Sequence, residues 1–337
     1  MDLGINYLGL ALRNPVIASA SPLTGDLGAI RQMEDSGAGA VVLPSLFEEQ
    51  IRREERMSDL LTSVGADSSP EASSYFPAAA QYNSGPRGYL NLIARARAAV
   101  GIPVIASLNG ATEAGWVEYA QRIEQAGAAA LELNIYRIAS DPSAAGGEVE
   151  ADCVALLRAV RNRVSLPLAV KLHPYYSAFG ALAAQLCEAG ANGLVLFNRL
   201  YQSDIDLDRL CWRNKVALSS NSEIRLGLLW LPMLARRLPN ASLAASTGVE
   251  TAEEVIKYLL AGADAVMTTS ALLRHGPGHL RSLVAGLESW LGTRGFDSVT
   301  AIKGLIRPSH PDAETDAEER SDYLRNLLGY RGPQAHR

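Results

Sequence analysis

Lys171 stands in LAVKL, one ammonium among apolar neighbours, and a cation in such a place is costly to bury unpaired. It needs an anion beside it, either a bound ligand or a neighbouring carboxylate such as Glu132. The ends of the other apolar runs are also too polar for packing alone. Ser19 and Ser21 follow the first run, Ser107 and Asn109 end VIASLN, Glu132 and Asn134 end ALELN, His173 lies just past Lys171, and Asn198 and Arg199 follow GLVLF. Several amides and one ammonium converging on one place suit the holding of a small polar molecule. They do not make a set of nucleophile, base and orienter, and no cluster of His and carboxylates has the spacing of metal ligands. His173, followed by Pro174, reads as a structural or rim residue.

A second feature concerns anions. Between Ser242 and Leu273 the chain packs strand, glycine turn, helix, strand and helix start into one short stretch. Thr247-Gly248 lets the backbone turn with its N–H groups exposed, and Thr251, followed by Glu253 and Glu254, has the residue pattern of a helix N-cap. Thr269-Ser270 opens another helix whose free N–H groups and positive dipole end face the same spot. Two helix starts aimed at one point make a phosphate site. The same spacing also describes two ordinary turns of an α/β protein.

The elements that carry these residues are announced by two alternating markers. Pro15, Pro103, Pro167 and Pro239 each precede an apolar strand, while Gly37-Ala38, Gly127-Ala128, Gly190-Ala191 and Gly262-Ala263 end a helix before the next strand. Proline cannot extend a helix, and glycine ends one in the left-handed conformation, so each marker is a physical stop. Eight strands result, separated by helical patterns with apolar residues three and four apart. Continuous apolar strands alternating with helices imply a parallel sheet covered by helices, and eight units of this length favour a single (β/α)8 TIM barrel. The barrel is assigned to residues 1–308 and a charged helical tail, ending in YLRNLLGY, to 309–337. Long connections at Ser45–Arg87, Asn134–Val149 and Asn198–Arg225 fall at the C-terminal ends of the strands, where lids and substrate loops belong.

Composition excludes several partners. The 337 residues are 48% hydrophobic and 20% charged, with a net charge of -5 and no clustering of Lys and Arg, which gives no footprint for nucleic acid or an anionic membrane. No run approaches the roughly 20 apolar residues that span a bilayer, and MDLGINYLGLALRNPV lacks a signal-peptide pattern, so a cytoplasmic protein is expected. Cys153, Cys187 and Cys211 are far apart, with no C-x-x-C for a disulfide framework, a zinc site or an iron–sulfur cluster.

The chain resembles the dihydroorotate dehydrogenase family of FMN-dependent (β/α)8 barrels, and more closely its class 1 branch, from about Leu3 to Leu291. The resemblance is carried by NPVIASAS, NSGPRGYLNLI, LELN, PLAVKLHPYY and TGVETAEEVIKYLLAGADAVMTTSALL. It implies that Lys171 lies against the N1 and O2 edge of the flavin, where a fixed positive charge favours the anionic reduced ring. It places the FMN phosphate on Thr247, Gly248, Thr269 and Ser270, Ala18 and Ser19 beneath the ring, and Asn109 at its polar edge. Asn83, Asn134 and Asn198 would hold a flat pyrimidine-like substrate over it.

Departures from the family are equally informative. The active-site base, a Cys in N-L-S-C-P-N or a Ser in the other class, falls where this chain reads Asn134-Ile135-Tyr136-Arg137-Ile138-Ala139. Arg137 occupies the base position, and a guanidinium keeps its proton far above neutral pH. Tyr136 and Ser140 are the nearby alternatives. A second lysine of the family is replaced by Pro44, the glycine-rich turn after strand six reads ALSSNSEIR, and Gly-Gly and Gly-Thr are replaced by Thr247-Gly248 and Thr269-Ser270.

The resulting expectation is an FMN oxidoreductase acting on a CH–CH group of a small pyrimidine-like or carboxylated molecule, with Arg137 binding an anionic group or limiting access. Two alternatives stand beside it: a genuine dihydroorotate dehydrogenase of pyrimidine biosynthesis with an unusual base, and a non-catalytic barrel that binds a phosphate ligand or a partner. A soluble electron acceptor or a partner redox protein is expected, as is a homodimer. Trp212, Trp230 and the tail helix could serve the subunit contact, although burial in the outer layer is the ordinary place for those tryptophans.

Overall fold

The chain opens with a hairpin, β1 (Ile5–Tyr7) and β2 (Leu10–Leu12), turned by Leu8 and Gly9, both at positive φ as a two-residue primed turn requires. It then enters a closed barrel of eight parallel strands: β3 (Val16–Ala18), β4 (Ala40–Phe47), β5 (Val104–Asn109), β6 (Ala130–Asn134), β7 (Leu168–Leu172), β8 (Gly193–Leu196), β11 (Ser242–Ala245) and β12 (Ala265–Thr268). The computed structural model describes residues 1–50, 52, 85–110, 112–200, 203–213, 216–306 and 316–329. Between β8 and β11 an exposed hairpin, β9 (Asp204–Asp206) and β10 (Cys211–Arg213), projects from the connection.

Helices follow the strands: α1 (Leu27–Asp35), α2 (Gly85–Ala99), α3 (Glu113–Ala126), α4 (Gly146–Arg161), α5 (Phe179–Glu188), α6 (Ile224–Arg237), α7 (Ala252–Leu260), α8 (Ser270–His275), α9 (His279–Arg294) and the tail helix α10 (Asp316–Gly329). The four glycines of the Gly-Ala markers, Gly37, Gly127, Gly190 and Gly262, all have φ between 89° and 108°, the left-handed stop that the sequence pattern requires. Thr251 caps α7 by accepting from the Glu253 amide, and Glu254 closes the reciprocal bond to the Thr251 N–H at 2.7 Å.

Strand residues sort by parity. Val16, Val41, Val104, Leu131, Val170, Leu194 and Leu243 face outward into the layer between sheet and helices. Ile17, Ala40, Val42, Ile105, Ala130, Ala169, Val195, Ala244, Ala265 and Met267 face the lumen, where they pack with Tyr7, Leu8 and Leu12 of the hairpin. Several of these inward residues are alanines, and the space they leave is taken by the hairpin, which plugs the barrel floor. Continuing the inward parity by two residues reaches Ser19, Ser107, Glu132 and Lys171, so the polar strand ends belong to the lumen by the same alternation.

One strand breaks the rule. The pairing of β4 with β5 shifts register between Val42 and Ser45, a bulge around Pro44, where a residue without an N–H fits. The shift turns Ser45 inward, and its hydroxyl lies 2.8 Å from that of Ser107. Trp230 packs edge-on against Phe179, as burial in the outer layer requires, whereas Trp212 on the β9–β10 hairpin is exposed. Among the described residues no helix is long and apolar enough to cross a membrane.

Candidate active site at the strand ends

A cavity of about 460 Å³ opens at the C-terminal ends of the strands. Ser19, Asn134, Tyr136, Lys171, Asn198, Thr247, Gly248, Thr269 and Ser270 all line it. Ser45, Ala20 and Ser219 line it too; Ser219 belongs to the ALSSNSEIR turn singled out in the sequence, whereas no signal pointed to the Ser45 side chain. Ala18 lies outside the cavity, buried on the outward face of β3. Asn109 and Arg137 line a neighbouring cavity of about 570 Å³, and Tyr136 stands between the two, contributing to both walls. Asn83 falls outside the described residues.

One end of the cavity is formed by the Thr247-Gly248 and Thr269-Ser270 turns, and of the N–H groups expected to be exposed there, that of Gly248 is instead taken by a side chain. Thr247 and Gly248 are consecutive left-handed residues, with φ of 80° and 75°. Such a conformation strains a β-branched threonine, and its hydroxyl is held by a 3.0 Å bond to the Phe197 carbonyl. Ser219 ties the two turns together: its hydroxyl accepts from the Gly248 amide at 3.2 Å and lies 2.9 Å from the Ser270 hydroxyl, to which its own amide also donates. Ser270 Oγ thus accepts twice and keeps its own proton as a donor for a ligand. The Thr269 side chain makes no cap to α8, so the first-turn amides are left to other acceptors.

At the other end a chain of short bonds joins four strands' ends. Asn198 donates to Asn134 Oδ1 at 2.6 Å, and Asn134 donates to Ser45 Oγ at 3.2 Å. Ser107 completes it, with its backbone bracketed by the Tyr89 hydroxyl, which accepts from the Ser107 amide at 2.9 Å. Each asparagine amide is oriented by its neighbour and retains further polar atoms.

Lys171 closes the floor. Its ammonium lies 3.4 Å from Ser19 Oγ and 3.5 Å from Glu132 Oε1. The neighbouring carboxylate weighed from sequence is therefore present, yet neither Glu132 oxygen has a hydrogen-bond partner. Next to the site, Arg137 points away to Asp152 at 2.7 Å, on an exposed edge. The bond to Asp152 raises its affinity for its proton further. His173 is buried beside the Arg137 backbone and stacks on Tyr176 with ring centroids 4.2 Å apart. Burial pushes the Tyr176 phenol and the Cys153 thiol up, and those two groups meet at 3.6 Å behind the cavity wall.

A family profile for dihydroorotate dehydrogenase matches residues 3–291. An Aeropyrum pernix protein provisionally named dihydroorotate dehydrogenase A (fumarate) is 31% identical over 90% of this chain and 97% of its own length. The NAD-dependent dihydropyrimidine dehydrogenase subunit PreA of Escherichia coli is 25% identical over 93% of this chain and 79% of its own length. The catalytic subunit of dihydroorotate dehydrogenase B (NAD(+)) from Endomicrobium trichonymphae is 26% identical over 90% and 97%.

Proposed function

From the premise that this chain belongs to the dihydroorotate dehydrogenase family and is an oxidoreductase of the dihydroorotate or dihydropyrimidine dehydrogenase type, we propose an FMN enzyme acting on the CH–CH group of a small pyrimidine-like or carboxylated molecule, with an altered proton-transfer group. The observation that carries the reading is one cavity with an anion cradle at Thr247-Gly248 and Thr269-Ser270 and a buried ammonium, Lys171, in the same wall. The residues fit the group: Ser270 keeps a free hydroxyl proton, the first-turn amides of α8 are not capped by Thr269, and Lys171 has only long contacts, which leaves it able to serve a ligand, whereas the Gly248 N–H is already held by Ser219. A bound FMN supplies hydride acceptance at N5.

The chain supplies the rest. Thr247, Gly248, Thr269, Ser270 and Ser219 would hold the phosphate, Ser19 and the backbone at Ala18 would support the ring, and Lys171 would supply a positive charge beside it. Asn134 and Asn198 orient the substrate, with Asn83 as the third amide, and Asn109 serves the ring's polar edge from the adjoining wall. Arg137 keeps its proton and stands at the rim, where it limits access or meets an anionic group. Tyr136 borders the cavity, and we assign to it the transfer of the substrate proton.

The preserved amide pair Asn134–Asn198 favours a second reading, turnover of dihydroorotate itself. A visible spectrum of the purified protein, followed by anaerobic addition of dihydroorotate and of dihydrouracil, separates the two. A yellow protein bleached faster by the uncarboxylated ring supports the first reading, and turnover of dihydroorotate at an ordinary class 1 rate supports the second. A colourless protein that takes up no added FMN defeats both. Electrons then leave to a soluble acceptor or a redox partner protein, and a homodimer in the cytoplasm is the expected setting.

A further inference from the structure

Glu132 lies one layer deeper than the cavity wall. It is 1% exposed, on the inward face of β6, level with Ser107 of β5 and Ala169 of β7. A carboxylate kept only for structure fills its lone pairs with N–H or O–H donors, and this one has none on either oxygen. Among the described residues its ion-pair partner is Lys171 at 3.5 Å. On its other side is the floor hairpin, where the fully buried Tyr7 hydroxyl also lacks a partner. Burial first, and then the negative charge of Glu132, push the Tyr7 phenol up, which marks the two as near neighbours in one low-dielectric compartment. The ammonium, with 3.4 Å and 3.5 Å contacts, is loosely held between Glu132 and Ser19.

We propose that Glu132 is a positioning residue that sets how much of the Lys171 charge reaches the cofactor. The inference rests on the flavin reading above. A negative charge gathering over Lys171 during reduction competes with Glu132 for one ammonium, and in a buried setting that competition is weakly screened. Glu132 thereby holds the reduced state below the stability that a free lysine would give it, which keeps electrons able to move on to an acceptor. Tyr7, below, closes the compartment with an uncharged hydroxyl.

The test uses the full-length FMN-loaded protein and sulfite, a nucleophile whose addition to oxidised flavin leaves the same negative charge and bleaches its spectrum. Glu132→Gln is expected to bind sulfite at least about tenfold more tightly and to shift the midpoint potential upward against redox dyes. Lys171→Met is expected to bind it at least about tenfold more weakly. If Glu132→Gln does not fold, Glu132→Asp carries the test: the shorter carboxylate draws back from Lys171 and should tighten sulfite binding in the same direction by a smaller factor, an effect that should shrink in a Lys171→Met background. A folded, yellow Glu132→Gln with unchanged or weaker sulfite affinity and an unmoved potential overturns the proposal and leaves the flavin reading standing. A wild-type chain that takes up no FMN overturns both.

Discussion

Lys171 and Arg137 leave adjacent strands of one barrel and, among the described residues, each pairs with one carboxylate, yet the two pairs are opposite in kind. Arg137 and Asp152 are 2.7 Å apart, with side chains 46% and 63% exposed, whereas Lys171 and Glu132 are 3.5 Å apart, with side chains 9% and 1% exposed. The shorter pair is the weaker one. Exposed ion pairs contribute about 0–1 kcal/mol because water solvates both charges, while removing one partner of a buried pair costs about 3–5 kcal/mol through the charge left behind. Distance alone therefore ranks these cations wrongly. The inner pair is where charge can act on a ligand, because little water competes for it.

The sharpest way to break this contrast is Lys171→Met. Glu132 is then buried with no cation near it, and stability should fall by about 3 kcal/mol in urea denaturation. Reduction of the loaded protein by substrate should slow by about 10²–10³-fold, the scale of losing one fixed electrostatic stabiliser of developing charge. An unchanged unfolding midpoint with wild-type reduction would place Lys171 among ordinary surface lysines. Tyr136→Phe comes next: single-turnover reduction should slow by about 10²-fold with stability held within about 1 kcal/mol, the signature of lost proton transfer rather than lost packing. Equal rates for the two proteins would remove Tyr136 from that role.

The two cations differ as well in what the sequence could reveal. Lys171 was legible because LAVKL has the length and composition of a buried strand, and burial of an ammonium demands a partner. The Pro and Gly-Ala markers similarly announced all eight barrel strands, since stops and apolar runs are local properties. The floor hairpin was not legible, because three-residue strands are too short for a periodic pattern. Ser45 was hidden by the bulge at Pro44, which inverts the inward parity and exists only in the pairing of two strands. Ser219 lies in the ALSSNSEIR turn, which the resemblance marked, but its hydroxyl reaches Gly248 and Ser270 from an irregular connection, so no spacing rule led to those bonds. For Arg137 the residue type was legible but not its direction: Asp152 lies fifteen positions away, on α4, and only the fold brings it close.

His173 links the two regions, since it follows Lys171 closely and bonds the Arg137 backbone. Its Nδ1 accepts from the Tyr175 amide at 3.1 Å, a bond that a proton on that nitrogen would abolish. Burial, the larger cause, lowers the proton affinity of the ring and outweighs the bond to Arg137. The unfolded chain thus takes up this proton first as the medium is acidified. The stability contributed by His173 is complete above the ordinary histidine pKa of about 6.5 and is lost as pH falls from there toward the lowered folded value. Melting temperatures at about pH 7.5 and about pH 5.5 should differ less in His173→Gln than in the parent. An identical difference in both would separate His173 from the acid response.

Arg137→Ala is expected to do least, and that makes it the strictest test of the contrast. Both members of its pair are about half exposed or more, so deleting the guanidinium leaves Asp152 in water rather than orphaned. The unfolding free energy should move by less than about 1 kcal/mol, and Asp152→Ala should behave alike, with a coupling between them in the same small range. Because Asp152 strengthens the hold of Arg137 on its proton, no accessible pH turns it into a base, and kcat with an uncharged dihydropyrimidine should be unchanged. A carboxylated substrate offers the one route to an effect: if Arg137 meets that group at the rim, KM alone should rise a few-fold, as expected for an exposed charge contact. A stability loss beyond about 2 kcal/mol, or a tenfold fall in kcat, would require the guanidinium to be desolvated in the working enzyme. Arg137 would then act from inside the site as Lys171 does, and solvent exposure would cease to separate the two cations.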